Sequence, residues 1–192
     1  MKLPNRIFLT GVPGSRWSGI AQTLESLNGF NTSDRNPTRE FNHNGFTGHK
    51  GAYFGKGMEY ESYLDPRYID NAWLDNSGTR VVKSHDWAYK LQTIHEVFPN
   101  DWIMLVYRPD MVSYAWWHEA GGFNIKYPNY ANYKDSTTML GKIAEQNANI
   151  LQFARDYDLT WNYFTPRWIE QHFNQQIEVK HTWPDILVTL LK

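Results

Sequence analysis

Three short segments of the chain carry residue types that hold anions and move protons. The first, LTGVPGSRWSGI (9–20), sets Gly11 and Gly14 around a proline and follows them with Ser15, Arg16, Trp17 and Ser18. Glycines let a turn tighten and let backbone amides come close to a ligand, and a helix opening directly afterwards presents its N-terminal amides to an anion. This is not the triphosphate loop G-x-x-x-x-G-K-[ST], because the second glycine and the lysine are both missing. Arg16 is the cation of this loop. The second segment is Lys83-Ser84-His85. A histidine with a pKa near neutrality takes a proton from an alcohol, and a neighbouring cation stabilises developing negative charge. The third, YRPDMVS (107–113), puts Arg108 just before a helix start and Ser113 within the first turns of that helix. Guanidinium, hydroxyl and helix N-terminus together suit a terminal phosphate. Each segment also has a plain reading: an ordinary turn into a helix, a histidine packed against Trp87, and an Arg108–Asp110 ion pair fixing a corner.

The elements that would position these residues follow from apolar periodicity. RIFLTGV (6–12) reads as a buried strand, and Trp17, Ile20, Leu24 and Leu27 then recur near helical spacing until Gly29. TRVVKSH (79–85) reads as a second strand, which sets Lys83 and His85 on one side if the strand persists that far. A helix follows with Trp87, Leu91, Ile94 and Val97 on one face. DWIMLVYR (101–108) is a continuous apolar run of the kind found in strands covered on both faces. Pro109 opens the next helix, and a longer helix over about 136–156 has Leu140, Ile143, Ala144, Ala148 and Leu151 as its apolar positions. LTWNYF (159–164) reads as a further strand, followed by a helix from Pro166 to Phe173 and the closing WPDILVTLL. Strands alternating with helices imply βαβ units, hence a three-layer α/β/α domain around a mostly parallel sheet. With no repeat and no linker, residues 1–192 read as one domain. Ligands of such sheets bind beyond the carboxyl ends of the strands, which is where all three segments lie.

Composition narrows the ligand classes. The formal net charge is −1, which provides no basic footprint for nucleic acid. No apolar run approaches the roughly eighteen residues of a membrane span, and the N-terminus lacks the apolar core of a signal peptide. There is no cysteine, hence no disulfide, thiolate metal site or cysteine nucleophile, which fits a cytoplasmic protein. His43 and His49 have no carboxylate or third histidine at a supporting spacing, so no metal is expected. Residues 31–62 are polar, glycine-rich and aromatic, too long for a plain connection, and read as a lid or acceptor-site insertion. Tyr53, Phe54, Tyr60 and Tyr63, with Trp116 and Trp117, are candidates for a wall against a sugar or small alcohol. His118 reads as a residue of a helix surface.

Taken in order, the three segments resemble those of the sulfotransferases that use 3'-phosphoadenosine 5'-phosphosulfate (PAPS). In that family a loop G-x-P-[KR]-S-G-T-[TS] holds the 5'-phosphosulfate. Gly11, Pro13, Ser15 and Ser18 match it, whereas Gly14, Arg16 and Trp17 depart from it. A K-[TS]-H segment supplies the catalytic base, which Lys83, Ser84 and His85 match. A segment of the form Y-x-x-R-N-P-x-D-x-x-x-S holds the 3'-phosphate, and Arg108 and Ser113 stand in a shortened version of it. DLTWNY near residue 160 is a loose match to a family strand V-x-Y-E-D-L. The resemblance covers residues 6–28 and 79–118. It implies the P-loop-like sulfotransferase fold, PAPS as co-substrate without a metal, and a hydroxyl or amine acceptor such as a carbohydrate or small alcohol. His85 is then the base, with Lys83 and Arg16 as candidate catalytic cations, and Gly14, Ser15, Arg16, Trp17, Ser18, Arg108 and Ser113 bind the nucleotide. Two alternatives remain: a nucleotide-binding protein of the same fold without transferase activity, and a P-loop nucleotide kinase.

Overall fold

A computed structural model describes residues 2–33, 64–124, 135–178 and 185–192. Five strands form one mixed sheet: β1 (Arg6–Thr10), β2 (Arg80–Lys83), β3 (Trp102–Tyr107), β4 (Asn162–Tyr163) and β5 (Leu187–Leu191), in the order β2-β1-β3-β5-β4. The first three are parallel, with Ile7 opposite Val81 on one side and Trp102 on the other. The closing apolar segment becomes β5 and runs antiparallel between β3 and β4, with Leu187 opposite both Tyr107 and Tyr163. Its direction departs from a purely parallel sheet. The expected strand over 159–164 shortens to the two residues of β4.

Alternation along the strands sends side chains to two cores, one on each face of the sheet. Phe8, Val82, Ile103 and Leu105 pack with α2 (Pro66–Asp70), α3 (Leu91–Val97), α4 (Asp110–Glu119) and α5 (Ser136–Asp156). Ile7, Leu9, Val81, Met104, Val106 and Val188 pack with α1 (Trp17–Glu25) and α6 (Pro166–Phe173). These side chains are essentially solvent-free, and burying each contributes about 2 kcal/mol. The layers are therefore α/β/α, as expected.

Two helix faces differ from the expected ones. The segment after β2 is a 3-10 turn (His85–Tyr89) followed by α3, so Phe98 is buried while Val97 is 45% exposed. In α5 the buried positions are Met139, Ile143, Gln146, Asn147, Ile150, Phe153 and Ala154, while Ala144 and Ala148 face solvent. The stripe includes two amides, which a purely apolar pattern passes over. Asn147 is there for a reason given below.

At the amino ends of the strands the sheet is clasped by ion pairs. Arg6 and Arg80 stand opposite each other on β1 and β2. Asp70 of α2 bridges them, 2.6 Å from Arg6 and 2.8 Å from Arg80. Asp101 binds Arg6 from the far side at 2.6 Å and also accepts from its backbone N–H. Removing one partner of a buried pair leaves an uncompensated charge. Asp101→Ala is therefore expected to lower the unfolding free energy by about 3 kcal/mol, read from urea denaturation midpoints.

Candidate functional site

The chain leaves β1 toward α1 on one face of the sheet and leaves β3 toward α4 on the other. Adjacent parallel strands whose connections diverge in this way open a crevice at their carboxyl ends. The loop of residues 11–16 and Arg108 lie at that end of the sheet. Two groups hold the β3 side in place. Asn147 of α5 donates from Nδ2 to the Arg108 carbonyl at 2.9 Å and to Asp110 Oδ1 at 2.6 Å, and Ser113 Oγ donates to the same carbonyl at 3.3 Å. The polar residue in the buried face of α5 thus fixes the backbone that carries Arg108.

Within the loop, Gly14 has φ +78, and its Cα lies against α4. A Cβ there would fall 1.9 Å from the Ser113 carbonyl oxygen. No L side chain fits, so the position at which the resembled loop carries its cation is closed to any cation here. Gly14 instead accepts from Arg108 Nη1 at 3.1 Å, which ties the two loops together. Ser15 donates its amide to the Val12 carbonyl, and its hydroxyl is buried against Gly11, turned into the loop. Arg16 then takes φ +66, a conformation that glycine adopts freely and that costs another residue about 1–2 kcal/mol. It precedes α1 without giving it a side-chain cap. The first-turn amides of α1, those of Trp17 and Ser18, have no partner within the helix. The Trp17 ring itself is in the core, so only its backbone faces the crevice.

Arg16 lies over the Trp116 indole of α4, its guanidinium carbon 3.5 Å from the ring centroid, and that of Arg108 is 5.0 Å from the same ring. Arg16 Nε is buried without a hydrogen-bond partner. Burial, and then the neighbouring positive charge of Arg108, hold the Arg16 guanidinium below its ordinary pKa, with Asp185 and Glu119 partly offsetting them. Two guanidinium groups this close repel each other unless an anion lies between or beside them. Arg108 is 3% exposed, and its Nε and Nη2 both donate to Asp185 Oδ2, at the start of β5. The ring of Trp116, a candidate for the acceptor wall, carries the Arg16 guanidinium. Trp117, grouped with it, is in the core against Phe123. Tyr53, Phe54, Tyr60, Tyr63, His43 and His49 lie outside the described residues.

The Lys83-Ser84-His85 segment ends β2, next to this crevice. The strand stops at Lys83, and Ser84 caps the 3-10 turn by accepting from the Asp86 amide. Lys83 and His85 therefore diverge. Lys83 turns under α1 and pairs with Glu25 at 3.3 Å, both side chains nearly solvent-free, in the turn of α1 farthest from the loop. His85 stays at the strand end, where its carbonyl accepts from Thr10 Oγ1 at 3.4 Å and Asp86 Oδ1 stands 3.9 Å from Nε2. Burial pushes the His85 imidazole below its ordinary 6.5, and the Asp86 charge opposes this only in part. The ring is therefore neutral at pH 7, and burial opposes its taking up a proton. Because the folded pKa is lowered, the unfolded chain binds the extra proton first on acidification. His85 and His172 are both lowered, so the stability they contribute is constant above about pH 6.5 and is lost below it, and His85→Gln should make that limb shallower in melting temperatures taken from pH 7.5 to 5.

The structure thus brings Gly14, Arg16, the amides of Trp17 and Ser18, and Arg108 to the carboxyl ends of β1 and β3, with Ser113 buried against the Arg108 carbonyl, His85 buried at the end of neighbouring β2, and Lys83 paired with Glu25. Sequence reasoning passed over Asp185 and Asn147. The partner of Arg108 comes from the far end of the chain and has no local signal, whereas Asn147 was detectable as an amide at a buried helical register. Among the described residues no group of three or more His, Asp or Glu side chains stands together as a metal site, and no helix is long and apolar enough to cross a membrane. Comparisons with family models, with curated proteins and with solved structures returned no match to this chain.

Proposed function

We propose that the protein is a sulfotransferase of the PAPS-dependent type, with the P-loop-like fold of that family. The observation that carries this reading is the pair of guanidinium groups, Arg16 and Arg108, flanking Trp116 at the carboxyl ends of β1 and β3. A ligand with phosphate at one end and phosphosulfate at the other suits two cations at a helix N-terminus. The order of the three segments along the chain supports the same ligand.

PAPS supplies the sulfuryl group. Arg108, held by Asn147 and Gly14, receives the 3'-phosphate and so separates this nucleotide from others. The α1 amides and Arg16 receive the 5'-phosphosulfate end, and Arg16 takes the cationic role that the closed Gly14 position cannot. His85 removes the acceptor hydroxyl's proton as the new O–S bond forms and the S–O bond to the 5'-phosphate breaks, leaving 3',5'-ADP. With Lys83 drawn to Glu25, Arg16 stabilises the charge on the departing bridging oxygen.

The same commitment of Lys83 favours one alternative, a protein that binds the nucleotide without transferring from it. Calorimetric titration with 3',5'-ADP and with magnesium-ATP tests the site, with 3',5'-ADP expected to bind. Binding of magnesium-ATP alone would point to a kinase instead. Labelled PAPS with a panel of sugar and small-alcohol acceptors then tests transfer. His85→Asn should retain 3',5'-ADP affinity and lower the transfer rate by about 100-fold or more, the usual worth of a general base. Transfer that survived the substitution unchanged would remove His85 from the role.

A further inference from the structure

Arg108 is already occupied. We infer that Asp185 is the resident anion of the Arg108 seat and that it sets which ligands enter: a doubly charged phosphate displaces it, and singly charged anions do not. The inference rests on the anion-binding reading of the crevice and adds the residue that governs its selectivity.

The contacts assign different freedoms to the two partners. Arg108 is 3% exposed, its carbonyl is fixed by Asn147 and Ser113, and its Nη1 is tied to the Gly14 carbonyl. Its remaining edge, Nε with Nη2, closes on the single oxygen Oδ2 of Asp185. That edge is also the one a phosphate oxygen would take. The Asp185 side chain is 39% exposed, so the carboxylate is the partner that can leave for water. Ile186 is fully buried and Leu187 begins β5, so the backbone stays and the change is a side-chain rotation.

Charge decides when that rotation happens. With Asp185 seated, the two guanidinium groups at Trp116 are answered by its carboxylate on Arg108 and, without a direct contact, by the charge of Glu119 acting on Arg16. A singly charged anion replaces one carboxylate by an equivalent charge and gains little. A phosphomonoester brings close to two charges and three acceptor oxygens to the Arg108 edge, more than the carboxylate offers it, and leaves Arg16 for the other end of the nucleotide. An anion arriving while the carboxylate remains meets like-charge repulsion.

Calorimetric titration of the full chain and of Asp185→Asn tests this, with inorganic phosphate, dimethyl phosphate and 3',5'-ADP as probes at pH 8. Asp185→Asn should bind inorganic phosphate and 3',5'-ADP about tenfold tighter, and its preference for phosphate over singly charged dimethyl phosphate should narrow. Equal or weaker phosphate binding in the variant would overturn the inference and leave Asp185 as a residue that only orients Arg108. If phosphate binding tightens while 3',5'-ADP binds to neither protein, the inference stands and the PAPS reading fails. The substitution also leaves a buried guanidinium without its counter-charge, so melting temperature should drop, and saturating phosphate should raise it more than in the parent. Asp185→Ser provides the same comparison should the asparagine variant fold poorly. A phosphate-induced rise no larger than the parent's in either variant would also count against the inference.

Discussion

Gly14→Ala is expected to be strongly destabilising. The added Cβ falls 1.9 Å from the Ser113 carbonyl oxygen and 2.8 Å from the Trp117 amide nitrogen. Both are backbone atoms of α4, so no side chain can rotate out of the way. The residue must also hold φ +78, which alone costs alanine about 1–2 kcal/mol. The loop and α4 must separate, and with them go the Gly14–Arg108 hydrogen bond and the spacing of the two guanidinium groups. A loss of about 2–4 kcal/mol in unfolding free energy is expected, with phosphate and 3',5'-ADP affinity falling together. Gly141→Ala is the control: it lies in α5, a Cβ there meets nothing within 4 Å, and the change should stabilise by about 0.5–1 kcal/mol. Denaturant midpoints of the two variants, measured side by side, should move in opposite directions. A Gly14→Ala protein as stable as its parent would mean that the loop does not lie on α4.

Arg108→Ala should weaken nucleotide binding severely and also lower stability, because it removes a buried guanidinium that ties the two loops together. The main-chain anchor is independent of the side chain, because Asn147 and Ser113 hold the carbonyl. Charged hydrogen bonds are worth about 1.5–3 kcal/mol each, so losing two to a phosphate weakens binding by about 100-fold or more. Arg108→Lys should not rescue it, because an ammonium cannot present two N–H groups along one edge. Calorimetry with 3',5'-ADP measures both variants. An Arg108→Lys protein with parental affinity would place the phosphate elsewhere.

How much of this was legible depends on whether the relevant forces are local. β1 and β3 were readable because strands buried on both faces are continuous apolar runs. The layer arrangement followed from alternation of strands and helices. The direction of β5 was not readable, since LVTLL has the same composition whichever way it runs, and its place beside β3 is set by register with Ile103 to Tyr107. The side-by-side placement of Lys83 and His85 failed at Ser84, whose hydroxyl starts a turn and breaks the strand period. The loop cation was readable as Arg16, but the reason it sits there was not. That reason is the contact of Gly14 with a helix almost a hundred residues later, which no local pattern encodes.

The order of the sheet has a consequence for how the chain folds. Ile7 pairs with Trp102, Arg6 with Arg80, and Ile103 with Leu191, so each ladder joins segments far apart in sequence. Loop-closure entropy must be met before such pairings are rewarded, which slows folding relative to helical proteins of similar stability. β4 pairs with β5, and β5 joins the sheet beside β3. Gly14 and Arg108 meet only once β1 and β3 have paired, so in stopped-flow refolding phosphate binding should appear with that pairing and not before it.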